Sequence, residues 1–293
     1  MNSMQIAERN GANWGSNDAT SFTADFAPSA LIHHPFFRQA VTPKIAVEVM
    51  NATVCGTTQF DGCRLLKGTG DGIDDLVEMH FIETGECADY RPQYLGRMVV
   101  FARIVDEAIC HLKVKGYDLV HARPTQLRPF EREPIGRLNS HEMAHAIAES
   151  WSGNDMGRFT SLFGEGAMII HPLFSAPITP EIAADVLNSA MRGVSEARGP
   201  KLLLGDGAGE FDIADMWFDE TGDQIGFLPD TMGVMHSTVR IEGGSISEMI
   251  VHGYTPEKTR FSRDLTALRY EPAIAFAEAR VAEFSFSTRD ERQ

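Results

Sequence analysis

The chain lacks most of the features that mark a function class. No apolar run approaches the roughly 18 residues a membrane helix needs, and the opening stretch MNSMQIAERNGANWGS has no charged-then-apolar signal pattern. A cytoplasmic protein with no membrane partner is therefore expected. Basic residues are scarce: 26 Lys and Arg stand against 41 Asp and Glu, a formal net charge of −15. That balance argues against a nucleic-acid backbone as partner. Of the four cysteines, Cys55, Cys63, Cys87 and Cys110, none forms a CxxC pair and none completes a zinc spacing with a histidine cluster. Reduced, mostly buried thiols and no metal are expected. GxGxxG, the Walker loop, GxSxG and HExxH are all missing, so no cofactor is expected either. The glycine cluster GTGDG at 68–72 precedes a strand instead of joining a strand to a helix, and it reads as a turn.

What is present is a long internal repeat. At 293 residues and 43% hydrophobic content the chain has material for two cores. At a constant offset of 137, Trp14 falls on Trp151, Asn17-Asp18 on Asn154-Asp155, His34-Pro35 on His171-Pro172 and Thr42-Pro43 on Thr179-Pro180. The same offset carries Gly68, Gly70 and Gly72 onto Gly205, Gly207 and Gly209, and Asp75 onto Asp212. It carries Met79 and Phe81 onto Met216 and Phe218, and Gly116-Tyr117 onto Gly253-Tyr254. About 38 of the 104 pairs from Trp14 to Tyr117 are identical. A period this long means two whole domains, not a solenoid. The expected division is 1–120, a linker over 121–138, a second domain over 139–256 and a tail over 257–293. In that tail EPAIAFAEARVAEF could form an amphipathic helix, packed on the body or reaching a partner subunit, with packing favoured.

Each repeat reads in one order. A first helix is better marked in the second copy, where Asn139 and Glu142 have capping-box spacing. A short helix follows, with Asp18 or Asp155 near its start, then a short strand, ALIHHP or AMIIHP. A third helix opens with Thr at the N-cap and Pro at N1. Three strands close the repeat near 74–83, 95–105 and 108–117, with copies near 211–220, 232–242 and 245–254. The fold class is α+β, with helices segregated onto a curved antiparallel sheet.

This order, with a short strand ending in x-Pro after the second helix, resembles the SnoaL-like branch of the NTF2-like superfamily over about 210 residues. The resemblance implies two cone-shaped α+β barrels, each with a deep, mostly apolar pocket. It also implies pairing of copies, as a homo-oligomer or as an intramolecular pseudo-dimer. Ketosteroid-isomerase-like and polyether-cyclase-like members carry a catalytic Asp immediately before the strand-ending proline; here that position is His34 and His171. Members also include lyases. The leading reading that the resemblance supports is a cofactor-independent lyase acting on a small hydrophobic or aromatic molecule by acid–base catalysis, such as deformylation of a diarylpropane diol to a stilbene. A tandem epoxide hydrolase, polyether cyclase or isomerase is the alternative enzyme, and a non-catalytic small-molecule-binding protein the alternative outside enzymes.

The candidate residues carry two readings each. Period-two alternation turns His34 and His171 to the core face. They serve either as the pocket's acid or base or as a buttress of the turn before the third helix. Asp75 and Asp212 share inward parity with the Met and Phe that follow. They either orient the histidine or cap a turn. Trp14, Trp151, Met79, Met216, Phe81 and Phe218 are core residues that would line a pocket. Tyr90, Arg91 and Tyr94, present only in the first copy, form either an anion-binding cluster or a solvated loop. Ser237 takes the inward place of Val100 in the second copy, while His236, Arg103 and Arg240 face outward. One copy or both could be active.

Overall fold

The computed structural model describes residues 1–16, 18–53, 57–85, 93–118, 135–184, 194–222 and 230–256. The chain enters through α1 (Ser3–Gly15), closed by a capping box in which Asn2 accepts from the Gln5 amide and Gln5 accepts from that of Asn2. Asp18 caps α2 (Ala19–Ala24) by accepting from the Ser21 amide. After β1 (Phe26–His33) the chain turns into α3 (Pro43–Thr53), where Thr42 Oγ1 accepts from the Ile45 amide at 3.4 Å. Four strands follow: β2 (Thr57–Lys67), β3 (Asp74–Gly85), β4 (Gln93–Val105) and β5 (Ala108–Asp118). They form an antiparallel meander that β1 joins parallel to β5, giving the order β1-β5-β4-β3-β2.

The second repeat runs through α4 (Ser140–Ser152), α5 (Met156–Ser161), β6 (Phe163–Ile170) and helical residues 180–184. It continues through β7 (Val194–Ala197), β8 (Lys201–Leu204), β9 (Phe211–Gly222), β10 (Asp230–Glu242) and β11 (Ser245–Pro256). Its sheet is ordered β6-β11-β10-β9-β7, with β8 also paired to β9. Each repeat is an α+β unit in which helices pack on one sheet.

One strand per repeat was not expected from the sequence. β2 hides its alternation because Gly62, at φ +111°, bulges it and shifts the register between Phe60 and Gly62. In the second copy Pro200 stands where the first has Cys63. Proline has no amide proton to give a ladder, and the strand there is split into β7 and β8.

The core of the first repeat comes from the inward face of β3 (Val77, Met79, Phe81) and β4 (Met98, Val100, Ala102, Ile104), covered by Ile6 and Ala7 of α1. Burying each large side chain here contributes roughly 1.5–3 kcal/mol. The repeats also touch each other reciprocally. Tyr254 of β11 donates its amide proton to Phe36 O at 2.8 Å, and Arg38 returns one to Tyr254 O at 3.0 Å. On the other side Gly116 of β5 lies so close to the turn at Leu173 that a Cβ there would sit 2.7 Å from Leu173 O. Phe36 and Leu173 are the same repeat position, as are Gly116 and Gly253. The contact therefore has the two-sided form of a dimer interface.

Residues 121–134 of the expected linker and the whole tail 257–293 lie outside the described residues. Ile135 and Leu138 pack against the core. Among the described residues no helix is long and apolar enough to cross a membrane.

Candidate functional site

The first repeat holds a cavity with about 430 Å³ of empty space, its mouth included. It is narrow. Its walls come from every layer of the cone: Trp14 from α1, Phe22 from α2, Ala46 from α3, and Met79, Phe81, Met98 and Val100 from β3 and β4. Two residues bring polar chemistry to this apolar lining, Asn10 and His34.

His34 stands directly after β1, where the chain must turn before Pro35. Its Nδ1 accepts the Phe36 amide proton at 3.1 Å. That engages the Nδ1 lone pair, so the ring's own proton belongs on Nε2. Burial lowers the imidazole to about 4, and the ring is neutral near pH 7. The ring that lines the cavity is therefore a neutral imidazole. His171 repeats the geometry, with Nδ1 accepting from the Leu173 amide at 3.2 Å. It is only 5% exposed, and burial lowers it further, to about 3.

Asn10 is 1% exposed. Its Nδ2 donates to Phe22 O at 3.1 Å and to Asp25 Oδ2 at 3.2 Å. Both partners are acceptors, so the amide cannot be flipped, and Oδ1 is left buried with no hydrogen-bond partner. Asp25 in turn accepts from Arg9 Nε at 2.8 Å. The second repeat has Ala146, Ile147 and Leu162 at the positions of Arg9, Asn10 and Asp25. This polar network belongs to the first repeat alone. Sequence reasoning missed all three residues, although a comparison of the two copies shows polar groups replaced by apolar ones at each.

The other candidate residues are distributed as follows. Trp14, Met79 and Phe81 line the cavity, and their counterparts Met216 and Phe218 are fully buried in the second repeat. Trp151 donates from Nε1 to Ser195 Oγ at 3.3 Å. Ser237 is completely buried, and its hydroxyl has no hydrogen-bond partner. Tyr90 and Arg91 lie outside the described residues, as does the side chain of Tyr94.

Asp75 and Asp212 take the turn-capping one of their two readings. Asp75 accepts from Ser3 Oγ at 2.6 Å, the Gly70 amide at 2.9 Å and the Gly72 amide at 2.8 Å. Asp212 does the same with Ser140, Gly207 and Gly209. Hydrogen bonds from Ser3 and Ser140 hold the two carboxyls below their ordinary range. The glycine cluster exists for this carboxylate. Gly68 has φ +103°, and a Cβ there would lie 1.9 Å from Asp75 Oδ1. Neither aspartate bonds a histidine among the described residues, and Asp75 does not line the cavity. Of the two readings, these bonds fit the turn cap and not an orienting role toward His34 and His171.

A buried acid was also missed. Glu83 follows Phe81 on the inward face of β3, is 6% exposed and accepts from Thr58 Oγ1 at 2.7 Å through Oε2. Its Oε1 has no hydrogen-bond partner. Burial raises it to about 8, so it holds a proton at neutral pH. Its copy Glu220, raised to about 7 mainly by burial, lies 2.7 Å from the Ser195 hydroxyl that Trp151 reaches. Glu83 shares the inward face of β3 with the cavity residues Met79 and Phe81 but is not itself part of the cavity lining. Its inward parity with Met79 and Phe81 was the available signal.

Of the cysteines, Cys63 and Cys110 are free and half-buried, and burial pushes the Cys63 thiol up to about 11; Cys55 and Cys87 lie outside the described residues. Among the described residues no three His, Cys, Asp or Glu side chains are grouped to hold a metal ion.

No family model matches the chain, and no curated protein matches its sequence. Solved structures do match. A hypothetical protein with a ketosteroid-isomerase-like fold from Catenulispora acidiphila, in complex with trimethylamine, is 12% identical over 38% of this chain and 83% of its own, with a TM-score of 0.31. A proposed polyketide cyclase from Pseudomonas putida is 11% identical over 43% and 98%, TM-score 0.31. ActVI-ORFA from Streptomyces coelicolor is 15% identical over 40% and 94%, TM-score 0.30. At such identities these likenesses say nothing of substrate.

Proposed function

We propose that the first repeat binds a small, flat, apolar molecule carrying one oxygen function, that it polarises this oxygen, and that the second repeat is its support. One observation carries the reading: Asn10 Oδ1, buried and without a partner, shares an apolar cavity with a neutral histidine. A buried acceptor left unmade costs about 1–3 kcal/mol. A ligand hydroxyl answers both groups, donating to Asn10 Oδ1 and accepting from His34 Nε2–H. The aromatic walls, Trp14, Phe22 and Phe81, suit a planar ring.

The chemistry follows from the protonation states. With Nδ1 engaged by Phe36, His34 acts as a neutral donor to developing negative charge on oxygen, a role distinct from general base. Glu83 supplies an acid that is protonated at neutral pH. A cofactor-independent lyase on an aromatic diol is the specific form of this reading. Glu83 would give its proton to the departing benzylic hydroxyl, which leaves as water. The carboxylate so formed would take the proton of the terminal hydroxyl as formaldehyde leaves and the broken C–C bond's electron pair forms the alkene.

Calorimetric titration with 2-naphthol and naphthalene tests the binding, and a formaldehyde assay with a diarylpropane diol tests the lyase. The expected result is a naphthol affinity at least tenfold above that of naphthalene, lost in Asn10→Ile. Equal affinity for the two probes, or naphthol binding indifferent to both Asn10→Ile and His34→Phe, overturns the pocket reading. Naphthol binding without formaldehyde release removes the lyase and leaves a binding pocket.

A further inference from the structure

The cavity polarises its ligand through His34, and the residue that sets the state of His34 is held by the other repeat. Phe36 is the link. Its amide proton goes to His34 Nδ1 at 3.1 Å, while its carbonyl accepts the Tyr254 amide proton at 2.8 Å. The two peptide units that flank Phe36 are thus each tied, the one before it to the imidazole and the one after it to β11 of the second repeat. The next backbone group, Arg38 N–H, donates to Tyr254 O at 3.0 Å. Tyr254 is 1% exposed, and its ring stacks on Phe36 with centroids 5.1 Å apart and planes 29° apart. It also meets Phe37 at 6.1 Å. Gly253 permits the approach: at φ +94° its missing Cβ would lie 3.2 Å from Phe36 O.

Within its own repeat the 36–37 peptide unit is held on one side only, and Tyr254 holds the other. Hydrogen bonds within the turn, such as Phe37 N–H to His34 O at 3.0 Å, set its curvature. They do not themselves engage the Phe36 amide, whose proton goes to the ring. From these contacts we infer that Tyr254 of the second repeat is a positioning residue for the first repeat's site. By pinning Phe36, it locks His34 as the Nε2–H tautomer with that proton presented to the cavity. The covalent fusion of the repeats then has a local purpose, since a single copy would carry the cavity and the histidine without the clasp that orients the ring.

The relevance to ligand binding rests on the pocket reading above, whereas the state of the imidazole can be read without any ligand. The experiment uses the full chain with nitrogen-15 in its histidines and records the ring nitrogen resonances of His34 and His171. The variants are Tyr254→Ala, Tyr254→Phe and a control, Ile246→Val, whose site is fully buried in the second repeat away from the clasp. In the wild type His34 is expected to show one protonated and one unprotonated nitrogen, the protonated one being Nε2. In Tyr254→Ala the two His34 resonances are expected to converge toward a tautomer average, with His171 unmoved and naphthol affinity reduced at least threefold. Tyr254→Phe is expected to match the wild type, and Ile246→Val to leave His34 unchanged. A folded Tyr254→Ala whose His34 resonances stay at wild-type positions overturns the inference, and so does movement of His34 and His171 together. Should Tyr254→Ala not fold, Tyr254→Leu keeps most of the buried volume without the flat face and is read by the same criteria. Convergence of the His34 resonances without any naphthol binding to the wild type would sustain the clasp and sink the pocket reading alone.

Discussion

The pair Arg9–Asp25 offers a sharp test of how the first repeat carries its extra polar groups. Asp25 has a side chain 3% exposed, with Arg9 Nη2 at 2.5 Å, Arg9 Nε at 2.8 Å and Asn10 Nδ2 at 3.2 Å. Arg9→Ala strips it of its cation. Breaking one side of a buried pair typically costs about 3–5 kcal/mol, because the remaining charge is left uncompensated. The Arg9 side chain is 47% exposed, so water fills the vacated place, and the lower end of that range is expected. The double variant Arg9→Ala/Asp25→Leu should behave differently. It installs what the second repeat already has, Ala146 and Leu162, both buried and apolar. Replacing a buried pair by apolar groups is often neutral or stabilising, so the double variant should lie within about 1 kcal/mol of the wild type. The double variant should therefore be about 2 kcal/mol more stable than Arg9→Ala alone. Urea unfolding at pH 7, followed by far-ultraviolet circular dichroism, measures it, with the slope checked because two repeats can unfold in separate steps. A double variant as unstable as Arg9→Ala would refute the argument. The double variant should still bind naphthol less tightly than wild type, since Asn10 has lost the carboxylate that fixes its amide.

Other expectations follow from the same geometry. Asn10→Ile should weaken naphthol binding about tenfold, roughly 1.4 kcal/mol, and cost about 1–3 kcal/mol of stability because Phe22 O and Asp25 Oδ2 lose a donor, as calorimetry and urea titration will show. His171 is lowered to about 3 from an unfolded value near 6.5, so the stability it confers is complete above about pH 6.5 and falls as pH drops toward 3. His171→Asn keeps an acceptor for the Leu173 amide but does not titrate, and between pH 6 and 4.5 it should flatten the stability slope by up to about 1.4 kcal/mol per pH unit; an unaltered slope contradicts this. Glu83 has the opposite sign: raised to about 8, it contributes stability below about pH 4.3 that is lost as pH rises through 8. Glu83→Gln should therefore gain on the wild type by about 3 kcal/mol between pH 4.5 and 7, and a pH-independent difference would show that Glu83 is already ionised. Gly68→Ala, with φ +103° and a Cβ against Asp75 Oδ1, should cost about 3 kcal/mol by thermal unfolding, and a neutral result would mean that the loop repacks.

Much of the architecture was legible because the repeat doubled every signal. Thr42-Pro43 and Thr179-Pro180 mark helix starts by local chemistry, and the alternation through Met79 and Phe81 marks the inward face of β3 by local periodicity. β2 escaped because a bulge at Gly62 breaks its alternation, and its copy is cut by Pro200. The site was harder to read. Asp75 was noticed for being an acid repeated on an apolar face, yet its partners, Ser3 and two glycine amides, come from a helix start and a turn that only folding brings to it. Asn10 and Asp25 sit 15 positions apart in plain view, but what makes them matter is a direction, Nδ2 toward two acceptors and Oδ1 toward none.

By itself, then, the sequence determined the duplication, the α+β order and the face on which each histidine lies, because caps, alternation and a constant offset of 137 are properties of near neighbours or of exact recurrence. Tertiary structure alone decided that Asn10 and His34 meet in one apolar cavity, which nitrogen of His34 bears the proton, and that Tyr254 of the second repeat meets the turn behind it. Those are matters of distance and burial between remote segments. No periodicity encodes them, since a hydrogen bond depends on where two atoms come to rest in space.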